Sequence, residues 1–117
     1  MKIWYPIPPN QLDAGLLSQE HQDILRLVNA IHHPPLDEFR GDPELRRAVE
    51  LWAPHVSGLV VRHDRITEAL ARKGVLVADR LVNPLVIGVE ATFPTIPDQE
   101  VIDMWEGLFV RNSVIDY

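Results

Sequence analysis

Cysteine is missing from all 117 residues. That excludes disulfides, thiolate metal centres and a cysteine nucleophile, and it fits a reducing compartment. No run of eighteen apolar residues occurs, and the N-terminus carries prolines where a signal peptide has its apolar core. The expectation is a soluble cytoplasmic chain without a membrane partner. Internal repeats, low-complexity tracts, glycine-rich phosphate loops and Ser/His/Asp patterns are also lacking. What remains reads as one domain, residues 1–117, of a size that buries roughly two-thirds of its unfolded surface.

Positive charge is scarce too, with 11 Lys and Arg against 17 Asp and Glu, a net charge of −6. Nucleic-acid binding needs a concentrated positive surface, so this balance weighs against it for the chain as a whole. The acids are unevenly placed. Residues 90–117 hold six (Glu90, Asp98, Glu100, Asp103, Glu106, Asp116) against one base, Arg111, whereas residues 1–89 have eleven acids and ten bases. A local basic face remains open in the first part, and a protein partner is conceivable for the acidic C-terminal segment.

The pattern of residues predicts an all-α fold of about three main helices. MKIWYPIPPNQ at 1–11 is expected to be an extended lead-in, because proline lacks the helical donor and biases its predecessor away from the α region. A first helix follows over about 12–31, with Leu16, Leu17, Ile24, Leu27, Val28 and Ile31 on one side, and HHPP at 32–35 stops it. Asp42-Pro43-Glu44 has the form of an N-cap, a proline at the first helical position and a first-turn acid. The second helix therefore starts at 43, kinks at Pro54, and ends at Gly74 after Arg72 and Lys73. Its later section aligns Val56, Leu59, His63, Ile66 and Leu70. Arg62, Arg65, Arg72 and Lys73 are expected on one flank and Asp64 and Glu68 on the other. Residues 75–97 read as a buried irregular connection. DQEVIDMWEGLFV at 98–110 reads as a last helix with Val101, Ile102, Trp105, Leu108 and Phe109 inward.

Five histidines invite a metal, but their spacing does not hold one. His55 and His63 lie about 80° apart round a helix, His32 and His33 are adjacent, and no HExxH occurs. No metal and no cofactor are expected. The polar run Gln19-Glu20-His21-Gln22-Asp23 has an ordinary reading as the wet face of the first helix. Asp23 is its exception, because Leu16, Ile24, Leu27 and Ile31 run close to it. A carboxylate at such a border is partly desolvated, which suits general acid–base work.

Four pieces in order then form a larger pattern: Met1-Lys2-Ile3-Trp4; Glu20-His21-Gln22-Asp23-Ile24 after paired leucines; Phe39-Arg40-Gly41-Asp42-Pro43-Glu44; and Arg62-His63-Asp64 leading to Arg72-Lys73-Gly74. Together they resemble the pyrimidine-dimer DNA glycosylases, the small α-helical repair enzymes also called endonuclease V of the bacteriophage type. The similar family patterns are M-[RK]-[LI]-W, LLGEHREL, Y-x-x-H-P-E, and RHE followed by RRG. The resemblance covers residues 1–74, and the remainder matches none of these patterns.

The resemblance implies a bifunctional reaction on damaged or abasic DNA. A flipped-out site is attacked at C1′ by the free N-terminal α-amine, and the resulting Schiff base permits β-elimination of the strand. An α-amine suits this role, since its reference pKa near 7.7–8.0 leaves roughly 300-fold more free base at neutral pH than a lysine. Met1 would be the nucleophile, because a bulky Lys2 opposes removal of the initiator. The family's first-helix glutamate falls on Asp23 in one register, with Gln22 replacing its arginine, and on Gln22 itself in the other. Expected substrate contacts are Lys2, Glu20, His21, Arg62, His63 and Arg65. Such an enzyme would sit in the cytoplasm, associated with the nucleoid. The other reading is a catalytically inactive member of the fold that serves as a binding or regulatory module.

Overall fold

A computed structural model of the chain describes residues 1–33, 42–77 and 90–115, with side chains as far as residue 110. All regular structure among these residues is helical, in two 3-10 turns and four α-helices: α1 (Ala14–His32), α2 (Pro43–Trp52), α3 (Val56–Arg72) and α4 (Asp98–Ile115). The fold is all-α, and α2 and α3 together form the broken second helix that the sequence predicts. No helix among the described residues is long and apolar enough to cross a membrane.

Local chemistry sets the helix ends. The Asp13 carboxylate accepts from the Leu16 N–H at 2.8 Å, satisfying a first-turn donor of α1, and Asp42 does the same for Leu45 at 3.0 Å in α2. Pro54 has no N–H to continue α2, so the chain makes one 3-10 turn, Ala53–His55, and restarts as α3. Gly74 adopts φ +82° and closes α3, with Val75 N–H donating to the Leu70 carbonyl at 2.9 Å and Gly74 N–H to Ala71 at 3.0 Å. A residue with a Cβ is strained in that left-handed conformation.

The core is shared by every helix. Leu17, Ile24 and Leu27 of α1 face Leu59, Ile66 and Leu70 of α3, with Leu45 and Trp52 added from α2 and Leu108 from α4. Each such side chain contributes about 1.5–3 kcal/mol by leaving water. The lead-in joins this core too. Ile7 and Leu12 are fully or almost fully buried, and residues Pro9–Gln11 form a 3-10 turn, so the extended reading holds only in part. Tyr5 stacks on Phe93 (4.7 Å between centroids, 9° between planes) and meets Trp52 edge-on. Segment 91–94 crosses the start of α3 so closely that a Cβ on Gly58 would overlap the Thr92 carbonyl oxygen and reach the Phe93 ring at 2.9 Å. Glycine is required there.

Two expectations need correction. α4 packs through Leu108, with Val101 and Met104 half-buried, while Ile102, Trp105 and Phe109 are exposed. Residues 101, 104 and 108 form one stripe at helical spacing, and 102, 105 and 109 form a second one displaced by about 100°. The helix rests on the first. The buried connection expected over 75–97 lies partly outside the described residues. Of it, 75–77 and 90–97 carry no regular structure.

Candidate functional site

The first seven residues are bound along α1 and α3 by a buried polar core. Lys2 N–H donates to Asp23 Oδ2 at 3.2 Å and Trp4 N–H to Glu20 Oε1 at 3.0 Å. The match is geometric: alternate residues of an extended segment direct their N–H groups to one side, and residues three apart on a helix share a face. Arg62 then locks the acid from beneath. Its Nε donates to Glu20 Oε2 at 2.7 Å, its Nη2 to Oε1 at 3.0 Å, and its Nη1 to the Ile7 carbonyl at 2.6 Å. Glu20 is 0% and Arg62 4% exposed. This is a bidentate pair with its remaining capacity used by the N-terminal backbone, the arrangement that makes a buried charge pair tolerable.

The same segment delivers the terminal amine to α2. Met1 N lies 3.1 Å from Glu44 Oε2, with the Met1 side chain packed inside and Glu44 70% exposed. Asp23, 8% exposed, also accepts from Gln19 Nε2 at 3.2 Å, so both its oxygens are engaged. Beside the amine opens a notch of about 270 Å3, walled by Lys2, Arg47, Trp52, Glu100 and Met104 among others. That volume lies just under the roughly 300–1,000 Å3 of drug-sized ligand pockets. Close by, the Asp42 carboxyl is held below its ordinary value. The Leu45 N–H is the chief cause, opposed by burial and reinforced by the Arg26 guanidinium at 2.9 Å and by the terminal charge.

The expected site residues divide into three groups. Met1, Lys2 and Asp23 come together beside the middle of α1. Gln22 is exposed on the far side of that turn, so Asp23 is the first-helix side chain beside the terminus. Lys2 holds its Nζ 4.2 Å from the centre of the Trp4 ring. Arg65 is exposed, but in a different groove, with Pro8, Pro9, Asn10 and Arg72.

The remaining four, expected as substrate contacts, are interior; for His63 this agrees with its place on the apolar stripe of α3, and for Glu20, His21 and Arg62 it corrects a solvent-facing reading. Glu20 and Arg62 are the buried pair. His21 (5% exposed) and His63 (0%) face each other in the core with ring centroids 4.3 Å apart. Each of the four falls on the apolar stripe of its helix by position, and the tight packing of α1 on α3 buries it despite its polarity. Arg62 is therefore not on the solvent flank with Arg65, and none of the four is free to meet substrate.

Glu44 is the residue that the sequence pattern leaves without a role at the site. It appeared there as a first-turn acid of α2 and as the last residue of the third resemblance piece, with no site role given to it, and its contact with Met1 spans 43 residues. No group of three or more potential metal ligands occurs among the described residues. No protein-family model, curated protein or solved structure matches this chain.

Proposed function

We propose that this chain is a DNA glycosylase and abasic-site lyase that uses the α-amine of Met1 as its Schiff-base nucleophile. The carrying observation is that Met1, which lines the notch of about 270 Å3, is held through Lys2 N–H to Asp23 and by direct contact of its amine with Glu44. Asp23 replaces the family's first-helix glutamate. It is shorter by one methylene, and the Lys2 amide brings the terminus to it. Lys2 and Arg47 supply positive charge at the rim. The substrate is duplex DNA with a damaged or abasic nucleotide that can leave the stack.

Borohydride added to the protein and an abasic-site duplex should yield a covalent adduct, and acetylation of the terminal amine should abolish it. Intact protein that gives no adduct on either duplex or single-stranded abasic DNA overturns the reading.

One observation favours the alternative of a non-catalytic binding module. Glu100 of α4 lines the notch, Arg62 is withdrawn into the core, and Asp98, Asp103 and Glu106 are exposed on the same α4. Phosphate is repelled by such a wall. Copurification of a protein partner, with equal affinity for intact and abasic DNA, supports that alternative.

A further inference from the structure

Two carboxylates flank the chain terminus, and they are bound differently. Asp23 is buried, with one oxygen on the Lys2 amide and the other on Gln19. It touches the peptide beyond Met1. Glu44 is the carboxylate in contact with the amine nitrogen, at 3.1 Å, and it retains solvent access with its second oxygen engaged by no described residue. A group that moves a proton at the amine must lie within hydrogen-bond reach of it and must be able to exchange that proton with solvent or substrate. Glu44 satisfies both conditions.

Resting on the lyase reading above, we infer that Glu44 is the proton-transfer residue of the site and that Asp23 is a positioning residue. Glu44 takes a proton from the Met1 ammonium. The freed nitrogen lone pair forms a bond to C1′ of the open-chain abasic sugar, while the C1′–O π pair moves to oxygen and picks up the proton displaced from nitrogen. Glu44 then returns its proton to the resulting hydroxyl, which leaves as water, and the nitrogen lone pair completes the C1′=N bond of a protonated imine. The carboxylate is regenerated, and charge and atoms balance. The other charged groups around Met1 are Lys2, Arg47 and Glu100, which line the notch with it, Asp23, which holds the Lys2 amide, and Asp42, whose carboxyl senses the terminal charge. Asp42 is tied to Leu45 and Arg26.

Glu44→Ala removes the proton carrier from an exposed position, so the fold should survive. The expected loss in the rate of borohydride trapping on abasic duplex is on the order of a hundredfold near neutral pH. The deficit should shrink at high pH, where hydroxide replaces Glu44 as the base. Added formate should restore part of the rate. Asp23→Asn keeps an oxygen for the Lys2 amide, and its loss should stay within about tenfold with the wild-type pH profile. Wild-type trapping with an unchanged rate and pH profile in Glu44→Ala overturns this inference alone and makes Glu44 an ordinary surface ion pair. No adduct with the wild type overturns the lyase reading and this inference together.

Discussion

Removing the guanidinium of Arg62 would strand three hydrogen bonds at once, two on Glu20 and one on the Ile7 carbonyl, in a site with almost no water access. Truncating one member of a buried pair costs about 3–5 kcal/mol, a large part of the 5–15 kcal/mol typical of a domain. Arg62→Ala should therefore lower the urea midpoint sharply, and a change within about 0.5 kcal/mol would show that the pair is not formed. Loss of the pair also releases the Trp4 amide and, with it, the placement of Met1. At this scale the sequence was legible by position and misleading by polarity. Glu20 stands three residues after Leu17 and four before Ile24, and Arg62 stands three after Leu59 and four before Ile66. Both spacings mark core positions, yet charge alone suggested solvent. Asp23 read as a border residue from the apolar neighbours visible on either side, and the packing buries it further, to 8% exposure.

At the scale of elements, the ends of the helices were the clearest text. Asp42-Pro43-Glu44, Pro54 and Gly74 each state a local backbone requirement, and each appears where that requirement predicts. Asp42 also carries a pH dependence. Its carboxyl is held below the ordinary value in the folded chain, so the unfolded chain binds the proton first and stability rises with pH across that window. The contribution is complete above the model-peptide value of 3.8 and disappears as pH falls through the lower folded value. Denaturation of wild type and Asp42→Asn, compared from about pH 5 down to about pH 2.5, should show the wild-type advantage shrinking as pH falls. A constant difference would mean that the charge of the cap is immaterial. The rotation of α4 was less legible, because apolar residues at 101, 102, 104, 105, 108 and 109 offer two stripes and only the tertiary contact selects between them.

For the whole molecule, the acidic C-terminal segment and the N-terminal site are neighbours in space. Glu100 and Met104 wall the notch that also exposes Lys2 and Arg47. The charge imbalance of residues 90–117 is thus delivered partly to the site itself, a proximity that no local pattern announces. Glu100→Gln should tighten binding to abasic duplex about twofold to fivefold at low salt, with the gain fading as salt rises, read by fluorescence anisotropy. Equal affinity of the two proteins at low salt would place the DNA elsewhere.

The Met1–Glu44 contact also dictates how the molecule must be handled. Any residue joined ahead of Met1 turns the cationic nitrogen into a neutral amide, which neither pairs with a carboxylate nor condenses with an aldehyde. On the proposed lyase reading, a purification handle left at that end would yield a well-folded protein blind to abasic sugars. Handles belong at the opposite end, or behind a protease whose cut frees the Met1 amine.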